Sequence, residues 1–389
     1  MRIDPRIQHL NAEQLNELIK RYYSGENINT LIKEYNVNTS ASNLYKIFPP
    51  IELEAICPYC DVFLLAQYPS KSSYQGALKI GACPNCNHKN DQRCNCRNCR
   101  DIEEKNQKII LQQKKDQIAI HLSLNQHEPI DLGDLSFEQR VYLGTIIRDG
   151  MTEDFKLIKP FQLFQCKLTP DETFTQEIVH NLSSETRVLV VHPESNPESI
   201  VDLDSETGSF SYYTYQVSWS PNVYDELLTG LEVYNRLMNP DFIEIHDLHN
   251  GYRLWEKVAT YECIEYLKNS IDSTFKMDYT VGEKTILTIK DLLKDYSVSQ
   301  IYGIIYKATN EALRFHAEKK VTKLHAINSI IGSCRSYAER ATSNGWELQK
   351  YHRLKSLPQS CISKFLYERV LRIGDNGFYH KPSIDLIKA

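Results

Sequence analysis

Seven of the eleven cysteines fall within residues 57–99. They form Cys57-Pro-Tyr-Cys60, Cys83-Pro-Asn-Cys86 and Cys94-Asn-Cys96-Arg-Asn-Cys99, with His88 between the last two groups. Thiolates and imidazole at this spacing are the ligands of tetrahedral structural zinc, a closed site with no position left for substrate. Two C-P-x-C knuckles separated by 22 residues can place Cys57, Cys60, Cys83 and Cys86 at the corners of one tetrahedron. Cys94, Cys96 and Cys99 with His88 supply four more ligands, so the count predicts two zinc ions per chain, and one at minimum. A second assignment stays open, because a C-x-C step is geometrically awkward: Cys83 and Cys86 could pair with Cys96 and Cys99, leaving Cys57 and Cys60 short of ligands. A disulfide framework is the competing use of clustered cysteines, and it requires an oxidising compartment.

The segment Met1–Leu10 contains no apolar export region, which makes a cytoplasmic protein the expectation. Cys166, Cys263, Cys334 and Cys361 are scattered singly, as reduced cysteines usually are. No stretch approaches the 18 or so apolar residues of a membrane span.

Other chemistry is sparse. The chain has no G-x-x-x-x-G-K-[ST] phosphate loop, no G-x-G-x-x-G and no G-x-S-x-G elbow. Pro240-Asp241 opens like a nuclease core, yet no Glu-x-Lys follows at a usable distance. His246-Asp247-Leu248-His249 offers metal-ligating side chains but reads as a polar turn ending at Asn250-Gly251. Nothing points to a hydrolase or a transferase, so an enzyme is not the expectation.

Charge is unevenly distributed. The chain of 389 residues carries −5 overall, but residues 1–130 carry +2, residues 131–250 carry −14 and residues 251–389 carry +7. Residues 300–372 hold 13 basic against 5 acidic groups. There Lys319, Lys320 and Lys323 lie among aromatic residues such as Phe315, Tyr337 and Trp346, a mixture able to meet phosphates and stack bases. Arg93, Arg97 and Arg100 surround the last cysteines and suit phosphate contacts.

These groups must be carried by folded elements, and the length predicts several domains. A capping Asn11 and apolar residues at helical spacing predict a helix over Ala12–Tyr23, a second over Ile28–Tyr35, and a third from Thr39-Ser40 through Ile47, broken by Pro49-Pro50. The outer face of the third is Ser40, Ser42, Asn43 and Lys46, small polar groups of the kind that read a major groove. Residues 1–50 resemble the trihelical helix-turn-helix domains of bacterial resolvase-type recombinases and small regulators. The resemblance implies binding of double-stranded DNA through those four residues, and the cysteine-rich residues 51–100 follow as a zinc ribbon.

Residues 101–130 read as a charged helical linker. Residues 131–222 read as an acidic, winged-helix-like unit: helices over Leu135–Arg148, within Met151–Pro160 and over Asp171–Leu182, then a β meander of Arg187–His192, Ser199–Asp204 and Phe210–Trp219. Residues 223–389 read as a helical basic domain with helices over Val223–Met238, Tyr252–Lys268, Lys284–Tyr296, Val298–Lys320, Lys323–Thr342 and Pro358–Ile373. The fold class expected is therefore mainly α and multidomain. The expected function is a zinc-containing DNA-binding regulator or targeting subunit of a mobile-element or phage-defence machine. The alternative is a zinc-dependent adaptor for protein partners.

Overall fold

The computed structural model describes residues 3–73, 80–204, 206–240 and 247–388. It is mainly helical, with 56% helix and 8% strand, and it divides into two compact units, Met1–Gln113 and Lys114–Ala389. No helix among the described residues is long and apolar enough to cross a membrane.

The first unit opens with α1 (Ala12–Ser24), whose start is held by a reciprocal cap between Asn11 and Gln14. Gly25 ends it in the left-handed region at φ 106°, where a side chain would be strained. Helix α2 (Ile28–Glu34) follows, capped by Asn27. Arg21 of α1 bonds both Glu26 and Glu34, at 2.8 and 2.7 Å, which fixes the angle between the two helices. Their common core is Leu18, Tyr22, Leu31, Leu44, Ile47 and Phe48.

The third segment departs from expectation. Residues Ala41–Ile47 form a 3-10 helix rather than an α-helix, and Ser40 does not cap it through its side chain. Ser40, Ser42 and Asn43 bond one another instead, with the Asn43 amide donating to Ser40 Oγ at 2.9 Å. Short polar side chains that satisfy each other withdraw from backbone capping. Strand β1 (Ile51–Ile56) then pairs antiparallel with β2 (Phe63–Ala66), from Ile51 opposite Ala66 to Ile56 opposite Phe63. Helix α3 (Arg97–His121) begins inside the last cysteine group and runs into the second unit. It starts four residues before the expected charged linker of 101–130 and ends at His121, and Ile118 is its buried residue.

The second unit has one continuous core that runs from Ile118 to Ile387, so residues 131–222 and 223–389 share a single interior. Strand β3 (Ile130–Asp131) precedes α4 (Phe137–Gly150), which starts at a Ser136–Gln139 capping box. No helix forms within Met151–Pro160. Met151 and Ile158 face each other in a short bridge instead, around a turn that places Phe155 at φ 58°. Helix α5 (Glu172–Val179) widens into a π-type turn over His180–Glu185.

The expected meander is replaced by two nested pairs. Strand β4 (Leu189–Val191) lies antiparallel to β7 (Trp219–Pro221), and β5 (Ile200–Val201) lies antiparallel to β6 (Ser211–Tyr212). The alternating run Phe210–Trp219 is broken by a turn in which the Gln216 amide donates to the Tyr213 carbonyl at 2.8 Å, because its two ends pair with different strands. Strand β8 (Val223–Tyr224) pairs in parallel with β3, so α6 (Gly230–Met238) starts seven residues later than its apolar period predicts.

Helix α7 (Leu248–Phe275) is the spine of this unit. It starts earlier than expected: His249, Asn250 and Gly251 are helical, and Gly251 is buried rather than part of a turn. Asp241 and His246 lie outside the described residues. Helices α8 (Glu283–Leu293), α9 (Val298–Lys319) and α10 (Lys323–Ser343) follow as the periodicity predicts. Helix α11 (Cys361–Phe365) continues in a wider turn over Leu366–Val370.

At the centre, Glu262 of α7 is almost fully buried and is paired with Arg353 at 2.6 Å. Arg353 also lies over the Phe378 ring at 4.2 Å, and the Tyr367 hydroxyl reaches the second carboxylate oxygen at 3.5 Å. Arg353→Ala would leave the Glu262 carboxylate buried and unpaired, so it should cost roughly 3–5 kcal/mol of stability. Chemical denaturation of the full chain reads this directly, and a loss below about 1 kcal/mol would show that water reaches Glu262.

Candidate metal centres

The two knuckles share one backbone design. In each, the residue after the second cysteine is left-handed, Asp61 at φ 52° and Asn87 at φ 58°, a conformation that Asp and Asn tolerate better than most side chains. Its amide donates back to the carbonyl of the first cysteine, Asp61 to Cys57 and Asn87 to Cys83, both at 3.0 Å. The first cysteine in turn donates to the carbonyl five residues on, Cys57 to Val62 at 2.8 Å and Cys83 to His88 at 2.7 Å. His88 is therefore the counterpart of Val62. The same loop that closes the second knuckle delivers an imidazole towards Cys94, Cys96 and Cys99.

The eight side chains form two groups of four: Cys57, Cys60, Cys83 and Cys86, and His88, Cys94, Cys96 and Cys99. Within each group all ligand atoms lie within 4.8 Å of one another. Tetrahedral zinc, with bonds of about 2.3 Å to sulfur and about 2.0–2.1 Å to nitrogen, requires sulfurs about 3.8 Å apart and sulfur–nitrogen separations of about 3.6 Å. Cys57 and Cys86 have their sulfurs 3.6 Å apart. His88 Nδ1 lies 3.5, 3.9 and 3.3 Å from the sulfurs of Cys94, Cys96 and Cys99. One ring nitrogen makes one hydrogen bond, so three thiols around it are not a hydrogen-bonded cluster. The separations fit a shared cation, and the donor set fits zinc. The pairing of Cys83 and Cys86 with Cys96 and Cys99 is not the one formed.

Backbone amides prepare the sulfurs for ionisation. The Lys89 amide donates to Cys94 Sγ at 3.1 Å. With help from the Cys96 amide it lowers that thiol to about 6. Burial resists ionisation of Cys83, but the amides of Cys86 and Asn85 outweigh it and bring the thiol to about 7. Burial pushes the Cys86 thiol up to about 12. One easily ionised thiol beside a reluctant one is the pattern of four crowded sulfurs that repel as anions, a repulsion that a dication at their centre removes.

The two groups also meet through Tyr59, the variable residue of the first knuckle. Its ring stands edge-on to His88, with centroids 5.0 Å apart, and its hydroxyl lies 3.3 Å from Cys99 Sγ. That contact raises the Tyr59 hydroxyl to about 12; either atom can donate in it, and only the tyrosine could if Cys99 were an ionised ligand. The spacing argument missed Tyr59. It also missed a readable signal, the repeat of Asp61 and Asn87 after each knuckle.

The basic groups expected to contact DNA divide by environment. Arg93, Arg97 and Arg100 are exposed, as are Ser40, Ser42 and Lys46, while Asn43 is half-buried. Lys319 and Lys320 are exposed. Lys323 is exposed too, and its ammonium donates to the Phe275 carbonyl at 2.8 Å, a cation on the C-terminal end of α7. The sequence cannot reveal this, because 48 residues separate the partners.

Protein purified without added metal should carry two zinc ions per chain by elemental analysis, and one ion would sink one of the two groups. Cys83→Ser should release zinc and expose the first unit to proteolysis. No protein-family model, no curated protein and no solved structure matches the chain, so the reading of this site rests on its geometry.

Proposed function

We propose that the protein is a zinc-containing double-stranded DNA-binding protein, a regulator or the targeting subunit of a mobile-element or phage-defence machine. In this reading residues 1–50 act as a helix-turn-helix, residues 51–100 as a zinc ribbon, residues 131–222 as a winged-helix-like acidic part and residues 223–389 as a helical basic part. The observation that carries the proposal is the set of exposed Arg93, Arg97 and Arg100 around the second metal group. A coordinated loop spends no further conformational entropy to hold its cations against a phosphate backbone. The 3-10 winding over Ala41–Ile47 is compatible with a reading edge, because three residues per turn stack Ser40, Asn43 and Lys46 on one side.

One observation favours the adaptor instead. Ile56 and Phe63 are cross-strand partners and are 52% and 51% exposed, and the exposed Glu52 and Glu54 alternate with buried-side residues along the same strand. An apolar pair beside carboxylates suits a protein partner and repels phosphate.

A mobility-shift titration at two salt concentrations separates the two readings. DNA binding should weaken in Arg97→Ala/Arg100→Ala, with the salt slope reduced by roughly 0.9 for each phosphate that is no longer neutralised. Lys319→Ala/Lys320→Ala should weaken binding to all sequences alike, whereas Lys323→Ala should lower thermal stability and leave the salt slope unchanged. Absence of wild-type binding at low salt would transfer the argument to the adaptor.

A further inference from the structure

We propose that Tyr59 is a positioning residue that couples the two metal sites, so that they take up and release zinc as one cooperative unit. This rests on the reading of the cysteine groups as two zinc sites. The first knuckle supplies two ligands to its own site and, through Tyr59, an outer contact to each of two ligands of the other: the ring against His88 and the hydroxyl on Cys99. Tyr59 sits between Cys57 and Cys60. An ion held by those two cysteines would therefore restrain its position from both sides.

The second link is the backbone. Cys86 belongs to the first site and His88 to the second, with Asn87 between them in the left-handed region. The Cys83 amide bonds the His88 carbonyl at 2.7 Å. Closing the knuckle of Cys83 and Cys86 thus fixes the residue that carries the imidazole. Both links run in the same direction, from a filled first site to an ordered second one, and coupling of binding free energies is reciprocal. Groups that orient metal ligands from outside typically change affinity by roughly 10–100-fold when removed.

The test uses the full chain loaded with zinc, titrated with a competing chelator while released zinc is followed by absorbance. Cobalt(II) substitution then tells the all-cysteine site from the site that includes His88 by their different visible bands. Wild-type protein should lose both ions in a single transition and fill both sites in parallel. Tyr59→Ala should split the transition, with the His88 site losing its ion first at an affinity lowered by roughly 10–100-fold. Tyr59→Phe, which keeps the ring and loses the donor to sulfur, should fall between. Ile109→Ala removes an exposed apolar side chain of α3, ten residues beyond the last cysteine of the second group, and should behave as wild type. Independent filling of the two sites in the wild type, or an unsplit transition of unchanged affinity in Tyr59→Ala, overturns the coupling and leaves the two-zinc reading intact. Wild-type protein that binds no metal overturns both.

Discussion

The cysteine module of the first unit has almost no apolar core of its own, and that constraint is what the reading of its two cysteine groups as metal sites answers. Its buried cluster is Cys57, Leu64 and Cys83, with Leu53, Ala55 and Val62 packed beside them, and two of those three are candidate ligands. A core this small cannot offset the conformational entropy of ordering several dozen residues. Coordination of zinc contributes roughly 10–16 kcal/mol in small finger modules, which is the right scale to close that gap. The left-handed Asp61 and Asn87, the amides aimed at sulfur and the exposed arginines are all consequences of where the ligands must sit.

The metal centres were legible because a ligand's chemistry is local and its spacing is covalent. Eight side chains of the right type within 43 residues leave few ways to form tetrahedra, and the structure forms the one that uses every ligand. Helices α1, α2, α4, α9 and α10 were legible for a related reason: each has a capping side chain at its start and an apolar period; α8 was legible from its period alone. The failures have two causes. The 3-10 segment is set locally, by Ser40, Ser42 and Asn43 bonding one another, whereas the nested strand pairs are decided by partners far along the chain. The run Phe210–Trp219 alternates convincingly, yet its halves belong to different sheets, and alternation carries no information about which strand lies opposite.

Charge counting shows the same limit. The excess of basic groups over residues 300–372 is real, but its members meet different fates. Arg353 is consumed by the buried carboxylate of Glu262. Lys323 closes the end of α7, Lys307 lies over the Tyr337 ring at 4.7 Å, and Arg335 pairs with Glu339. Lys319 and Lys320, at the end of α9, have no ion-pair partner among the described residues. The aromatics divide likewise: Tyr302 is core, while Tyr306 and Trp346 are about half exposed. A polyanion would meet a field weaker than the count implies, and one concentrated where the side chains are unpaired.

The arginines of the cysteine module differ in kind from those lysines. A lysine at a helix end searches many rotamers before it meets a phosphate, and ordering it costs binding free energy. Arg93, Arg97 and Arg100 flank the cysteines of the His88 group, so an ion there would hold their backbone and leave only their side chains to be ordered. The weight of any nucleic-acid contact therefore falls on three metal-anchored residues more than on the larger basic total downstream. Under the proposed function the ligand set and the binding surface would share one structural unit, and loss of an ion would remove both together.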